Sequence, residues 1–180
     1  MGKLTAPINL ETIESILNST AVVNEPPISF PQANSFERVI NLCELLIEKV
    51  SLTRQDITNN YDFDARQTNY YTDAGRYLGL IEKRSENTQI VFTLSDLGYK
   101  LFKKPFRERQ LEFAKLILSH KAFKKTLELY FKKAEIPTQT DVVEIMKESK
   151  IYNVNSEKTF FRRASTVTKW INWIIELVEE

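Results

Sequence analysis

Apolar residues recur with a helical period along most of the chain. Between residues 35 and 50 an apolar side chain returns every three or four positions, which predicts a helix that Ser35 caps. The same period predicts further helices, near residues 10–17, 65–78, 106–118, 122–133 and 156–178. The pattern therefore indicates a mainly α-helical protein.

Polar residues at the ends of these segments predict where helices begin and end. Thr53 with Asp56, and Thr138 with Asp141, have the spacing of a capping box, so a helix is expected to start after each threonine. Gly79 follows the segment 65–78 and can adopt the left-handed conformation that ends a helix. These signals divide the chain into short helices joined by tight turns.

The pattern changes after Gly79. Residues 80–84 and 89–93 predict two short strands, and the polar residues 85–88 between them predict a hairpin tip. Over residues 36–104 the order is helix, short helix, helix, hairpin and helix. This is the layout of a winged helix-turn-helix domain.

The remaining residues form two more regions. Residues 1–35 are expected to be an N-terminal arm with a short helix, followed by an extended connector that contains Pro26, Pro27 and Pro31. Residues 105–180 predict a second helical domain that resembles a helix-turn-helix without a wing. The predicted fold is mainly α, with two helix-turn-helix units of which the first is a winged helix with a short two-stranded β-hairpin.

Composition excludes several classes of protein. With 42% apolar residues in 180, the chain is not expected to be disordered. A single cysteine and a single histidine leave any metal site to carboxylates, and no cofactor is expected. Cys43 lies on an apolar stripe and is expected to be buried, and His120 is expected at the surface or at a helix cap. No secretory signal or membrane span is predicted, so a cytoplasmic location without a membrane partner is expected.

Charge is unevenly distributed along the chain. Residues 1–102 contain 9 Lys and Arg residues and 13 Asp and Glu residues, a net charge of −4. Residues 103–180 contain 16 Lys and Arg residues and 11 Asp and Glu residues, a net charge of +5. The asymmetry predicts a localised attraction to a polyanion. The alternative is that surface lysines simply cluster in the C-terminal half.

The predicted helix 65–78 has a polar face. Its outward residues at about 100° per position are Arg66, Asn69, Tyr70, Asp73 and Arg76. Its inward residues are predicted to be Gln67, Tyr71, Ala74 and Leu78. Arg and Asn side chains read guanine and adenine edges, and Tyr contacts phosphate, so this face predicts DNA contact. The alternative is an ordinary solvated face, which the carboxylate of Asp73 favours.

The last predicted helix is basic on one side. An apolar stripe runs along it, and the opposite face carries Lys158, Arg162, Ser165, Thr166 and Lys169, with Arg163 on its flank. No acid interrupts that face between Lys158 and Lys169, which suits contacts along a DNA groove. Trp170 and Trp173 lie off the apolar stripe and either pack against the first domain or form a partner surface.

The hairpin tip is a third candidate contact. Asn87 lies in the predicted tip, and Arg84 and Gln89 flank it, where a wing of this kind reaches a neighbouring phosphate or a minor groove. These three residues are therefore predicted wing contacts.

Several stretches resemble known families. The runs YLGLI at 77–81 and FTLSDLG at 92–98 are similar to the strand pair of winged-helix DNA-binding domains. The run YDFDARQTNYYTDAGRYLGL at 61–80, and YNVNSE at 152–157 leading into RRASTVTKWINWI at 162–174, resemble helical modules of bacterial type II restriction systems. The resemblance covers most of residues 36–176. It implies tandem winged-helix domains that recognise double-stranded DNA, and it specifies no target sequence.

Together these observations predict a double-stranded DNA-binding protein. It would serve as the recognition module, or as an accessory or regulatory protein, of a bacterial restriction-modification system, with a nuclease subunit or a second copy as a further partner. The alternatives are a protein-protein interaction module on a winged-helix scaffold and a transcriptional regulator. Catalysis by this chain is not expected: the acid-x-Lys spacing of Glu148-Ser149-Lys150 falls at a helix end, and no strand-borne aspartate precedes it.

Overall fold

The structure is a computed structural model that describes residues 7–179. Over these residues the chain is mainly helical, as predicted. The helices are α1 (Leu10–Ser19), α2 (Phe36–Lys49), α3 (Arg54–Tyr61), α4 (Ala65–Tyr77), α5 (Asp96–Phe102), α6 (Phe106–Leu118), α7 (Lys121–Lys133), α8 (Gln139–Glu148) and α9 (Glu157–Ile175). The strands are β1 (Ser51–Thr53), β2 (Ile81–Glu86) and β3 (Gln89–Leu94). Among the helices described, none combines the length and the apolar character needed to cross a lipid bilayer.

The helix starts follow the predicted caps. The Ser35 side chain accepts a hydrogen bond from the backbone N–H of Arg38, and Thr53 and Thr138 each form a complete capping box. Gly79, which follows the C-cap residue Leu78 of α4, has φ +77°, so the helix ends in the left-handed conformation. These local predictions are confirmed.

The β-sheet has three strands, not the two that the sequence predicted. Its order is β1-β3-β2, with both pairings antiparallel, and Leu52 of β1 lies opposite Phe92 of β3. A three-residue strand is too short to show an alternating pattern, and its pairing partner is some 40 residues away in sequence. The sheet edge formed by β1 therefore depends on tertiary packing.

The described part of the N-terminal arm belongs to the core of the protein. Ile13, Ile16 and Leu17 on one face of α1 are buried, and α1 contacts α6, α7 and α9. Further along the arm, the Phe30 ring stacks on Phe123 of α7 at 5.5 Å and meets Tyr77 of α4 edge-on at 5.5 Å. One continuous apolar core thus joins the arm to both halves of the chain.

Both tryptophans pack inward, so the alternative of an exposed partner surface is wrong. Trp170 is fully buried and stacks on Phe123 at 5.1 Å. The Trp173 ring lies 4.5 Å from that of Phe36, and its indole N–H donates to a carboxylate oxygen of Glu37 at 2.8 Å. Cys43 is buried as predicted, and burial raises the pKa of its thiol to about 12.

Of the two places predicted for His120, the helix cap is confirmed, because His120 is the N-cap residue of α7, and the surface is wrong. Its side chain is buried, its imidazole stacks on Tyr77 at 4.0 Å, and its Nδ1 lies 3.3 Å from a carboxylate oxygen of Glu25. The Tyr77 hydroxyl donates to the same carboxylate at 2.8 Å, and burial together with Glu25 raises the pKa of Tyr77 well above its usual value. These contacts among Glu25, Tyr77 and His120 hold the connector against the end of α4 and the start of α7.

Val50, at the end of α2, has an unfavourable backbone conformation. Its φ is 69° and its ψ is −53°, a region that β-branched residues rarely adopt, and its side chain is 63% exposed. Relief of the strain in Val50→Gly, about 1–3 kcal/mol, exceeds the entropic cost of glycine, about 0.5–1 kcal/mol. We expect Val50→Gly to raise the free energy of unfolding by about 1 kcal/mol in urea denaturation.

Val50→Ala is the matched control because it also removes the two γ-methyl groups but keeps the Cβ. It should gain less stability than Val50→Gly. A glycine variant no more stable than the alanine variant would show that this backbone conformation carries no strain.

Candidate nucleic-acid interface

The two helices predicted to read DNA meet at one surface. An open cleft of about 660 Å³ lies between the first halves of α4 and α9. Helix α4 contributes Gln67, Tyr70 and Tyr71, and α9 contributes Phe161, Arg162 and Ser165. We call this feature the α4/α9 cleft. Of these six side chains, three were predicted DNA contacts from two separate segments of the sequence: Tyr70, Arg162 and Ser165.

The arm forms the third wall of the α4/α9 cleft through Gln32 and Asn34. Hydrogen bonds from both helices hold it there. The backbone N–H of Ser35 donates to the Tyr71 hydroxyl of α4 at 3.2 Å, and the indole N–H of Trp170 in α9 donates to the Ala33 carbonyl at 2.8 Å. The arm is therefore a fixed part of the site.

The lining of the α4/α9 cleft is rich in side-chain amides. Four of its nine residues are amides: Gln32, Asn34, Gln67 and Gln139, the last from the first turn of α8. The Gln139 Nε2 donates to the Phe161 carbonyl at 3.2 Å, which orients that amide. Among the residues that the structure describes, no carboxylate lines the cleft. Each amide offers a donor and an acceptor, the combination that base edges require.

Cations flank the cleft along α9. Lys158, Arg162, Ser165 and Lys169 fall within roughly 60° of one another around the helix at 100° per residue. All three cations are exposed, and within residues 7–179 none has a carboxylate oxygen within 4.0 Å. The predicted outward placement of the three cations is confirmed, Ser165 is half-buried at the cleft, and the face keeps its positive charge available.

Thr166 and Arg163 do not belong to that surface. Thr166 is fully buried and its hydroxyl donates to Asn34 Oδ1 at 2.7 Å, so its prediction as a DNA contact is wrong. Arg163 is half-buried and donates to the Phe30 carbonyl, and burial lowers the pKa of its guanidinium. The arm covers this flank of α9, which helical periodicity cannot reveal. Both side chains position the arm instead.

The exposed face of α4 is rotated relative to the prediction. Arg66 is exposed and Tyr70 lines the α4/α9 cleft, but Gln67, predicted to pack inward, is exposed and lines the cleft as well. Asn69 and Arg76 lie about 160–180° around the helix from Gln67, so they point away from the cleft.

Those two residues have partners on the far side of α4. Asn69 Oδ1 accepts a hydrogen bond from Arg54 Nε at 3.0 Å, and Arg76 pairs with Asp73 at 3.1 Å. Arg76 is therefore neutralised, and its predicted role as a free DNA contact is not supported by its placement.

The predicted wing contacts lie in the β2–β3 hairpin and outside the α4/α9 cleft. Arg84, Asn87 and Gln89 are all exposed. The Arg84 guanidinium lies 3.7 Å from a carboxylate oxygen of Glu82 and 3.4 Å from the Thr93 hydroxyl. Asn87 has φ 49°, as the tight hairpin turn requires. Their contact with DNA stays a prediction.

Sequence reasoning missed part of the site. Gln32, Asn34 and Gln139 carry no local signal, because only packing brings the arm and α8 to this surface. Phe161 did have a signal: it is an aromatic residue that lies off the apolar stripe of α9 and next to Arg162.

The structure brings few metal-binding side chains together. Among residues 7–179, no three of the His, Cys, Asp and Glu side chains are grouped so that they could hold a metal ion. Glu148 is the last residue of α8, and Ser149 and Lys150 follow in the turn after it, as predicted.

The geometry thus defines a mainly helical protein with a polar, amide-lined cleft between two helices and a flanking row of cations. A family model described as a domain of unknown function (DUF7226) matches residues 38–179, and the chain belongs to this family. The matched region contains α4, α8 and α9, whereas Gln32 and Asn34 of the arm precede it. No curated protein and no solved structure matches the chain.

Proposed function

We propose that this protein binds double-stranded DNA with the surface around the α4/α9 cleft. One observation carries the proposal: two helices chosen independently from the sequence converge on a single cleft. Amides and Arg162 line this cleft, Lys158 and Lys169 flank it along α9, and no carboxylate belongs to the part of its lining that the structure describes. A surface of this composition attracts phosphate and offers hydrogen bonds to bases.

The order of elements supports the same proposal. Helix α2, strand β1, helices α3 and α4, and the β2–β3 hairpin follow one another in the order of a winged helix. In that arrangement α4 would be the recognition helix and the hairpin would be the wing. Strand β1, absent from the sequence prediction, adds the short third strand to the hairpin. Helices α8 and α9 would be the second helix-turn-helix pair.

The cations and amides would have separate roles on DNA. Arg66, Lys158, Arg162 and Lys169 are exposed and would bind phosphates, which sets affinity without reading sequence. The amides Gln67 and Gln139 would contact base edges, as Ser165 would through its hydroxyl. The resemblance to modules of type II restriction systems points to the same ligand, and a recognition or accessory role in such a system requires this binding. A transcriptional regulator would require it too.

The competing proposal, a protein-protein interaction module, loses its main support. It depended on Trp170 and Trp173 as an exposed docking patch, and both indoles are buried against Phe36 or Phe123. Lys158, Arg162 and Lys169 of α9 have no carboxylate partner within residues 7–179, and they favour a polyanion instead.

Binding to labelled random-sequence duplex DNA at two salt concentrations tests the proposal. Four phosphate contacts predict that affinity falls by about 100-fold between about 50 mM and 200 mM monovalent salt. Fluorescence anisotropy titrations measure this slope. An absence of binding at the lower salt, or an affinity that does not change with salt, would contradict the proposal.

A further inference from the structure

We infer that the α4/α9 cleft holds a single nucleotide whose base lies outside any base stack. The inference rests on the proposed function and specifies what that surface receives. The cleft volume of about 660 Å³ is in the range of clefts that bind one small ligand, about 300–1,000 Å³. A base inside a duplex offers only an edge in a groove, so it must leave the stack to enter.

Hydrogen bonds fix the orientation of two amides of the cleft, Asn34 and Gln139, so that together they can pair with the edge of one base. Asn34 Oδ1 accepts the Thr166 hydroxyl at 2.7 Å, which leaves the Asn34 amide hydrogens to donate. Gln139 Nε2 donates to the Phe161 carbonyl at 3.2 Å, which leaves the Gln139 oxygen to accept. The cleft therefore presents an oriented donor and an oriented acceptor. A Watson–Crick edge requires this pairing of donor and acceptor, and phosphate alone does not.

An aromatic side chain stands at the same cleft. Phe161 is 38% exposed, although Ala164 and Val167 on the neighbouring face of α9 are fully buried. Tyr70 of α4 also lines the cleft. Aromatic faces at a polar cleft stack on unpaired bases, whatever the base, and water solvates the face of Phe161 poorly when no ligand covers it.

The phosphate of the same nucleotide has a partner as well. Arg162 follows Phe161 in α9, lines the cleft and has no carboxylate within 4.0 Å in the described part of the chain. Guanidinium groups bind phosphate oxygens with two parallel hydrogen bonds. The aromatic face, the two oriented amides and the cation together match the base and the phosphate of one nucleotide.

The nucleotide in the cleft could be part of a duplex from which its base has been extruded, or it could be a free nucleotide. A binding experiment distinguishes these two sources. The probes are a fully paired duplex, the same duplex with one central mismatch, and the four deoxynucleoside monophosphates as competitors. A mismatched base is less costly to extrude, so we expect the mismatched duplex to bind about 10-fold more tightly than the paired one. Monophosphates at millimolar concentration should reduce that preference.

Variants assign the effect to the cleft. Phe161→Ala should reduce the mismatch preference to about 2-fold or less, because the stacking face is lost. Gln67→Ala, at an exposed position of the same cleft, should also reduce it. Phe106→Ala is the control, since Phe106 is 66% exposed on α6 and does not line the cleft. Thermal unfolding of each variant verifies that the fold is retained.

The outcomes separate this inference from the proposed function. Salt-dependent binding with equal affinity for paired and mismatched duplexes overturns the inference and leaves duplex binding intact. A preference that survives in both Phe161→Ala and Gln67→Ala also overturns it, because the extruded base would then lie elsewhere. Monophosphate binding that depends on Phe161, without any duplex binding, supports the cleft as a nucleotide site and overturns the proposed function. A chain that binds none of these probes overturns both.

Discussion

Arg162→Glu is expected to weaken binding to random duplex DNA by about 100-fold at about 100 mM salt. Arg162 lies at the centre of the exposed row of α9, with Lys158 one turn before it and Lys169 two turns after it. It also lines the α4/α9 cleft. Reversal removes one phosphate contact and places a carboxylate among the remaining ones, so the loss exceeds that of simple truncation.

The measurement is an anisotropy titration of each variant at several salt concentrations. Arg162→Ala should reduce the slope of log affinity against log salt by about one unit, which counts the phosphate contact directly.

Lys132→Glu is the matched control for Arg162→Glu. It changes the net charge equally, and Lys132 lies on α7 beside a different groove, formed with Glu128 and Ile145. Lys132→Glu should bind within about 3-fold of the parent. Equal losses in both variants would show that overall charge, and not the α9 row, governs binding.

Trp170→Ala is expected to lower the free energy of unfolding by about 3–5 kcal/mol. Trp170 is fully buried, and its ring contacts Phe123 of α7 at 5.1 Å and Phe36 of α2 at 5.2 Å. Its indole N–H donates to the Ala33 carbonyl at 2.8 Å. Truncation therefore opens a cavity where the arm, α2, α7 and α9 meet, and it leaves a buried carbonyl unpaired.

Such a loss is a large part of the stability of an ordinary domain, about 5–15 kcal/mol. Urea denaturation followed by far-UV circular dichroism measures it, provided that the slope with urea is unchanged. Trp170→Phe is the control because it fills much of the cavity and loses mainly the hydrogen bond, so its effect should be about half as large. A Trp170→Ala variant less than about 1 kcal/mol below the parent would mean that the four elements do not depend on this contact.

Local signals in the sequence located most of the helices correctly. The caps at Ser35, Thr53 and Thr138 join residues three positions apart, so the sequence contains both partners of each hydrogen bond. The apolar period of α9 also placed Arg162 and Lys169 outward, because a helix fixes which residues share a face. Strand β1 was not predicted because it pairs with a strand distant in sequence: Phe92 of β3, which lies opposite Leu52 of β1, is 40 positions further along the chain.

Part of the candidate site depends on contacts between residues far apart in sequence. Arg163 and Phe30 are separated by 133 positions, and Thr166 and Asn34 by 132. These contacts withdraw two predicted DNA-binding side chains from the surface and bring the arm into the cleft wall. His120 is buried against Glu25 in the same way, across 95 positions.

The sequence by itself determined the helical class, the starts of the capped helices and the basic row on α9, since each of these follows from neighbours within one or two turns. Only the tertiary structure decided that α4, α8, α9 and the arm would enclose one cleft, and which of their polar side chains would line it. The physical reason is that apolar and polar side chains are buried and hydrogen-bonded by segments that are distant in sequence and come together only when the chain packs. Periodicity specifies the direction of a side chain, but not the segment of the chain that will cover it.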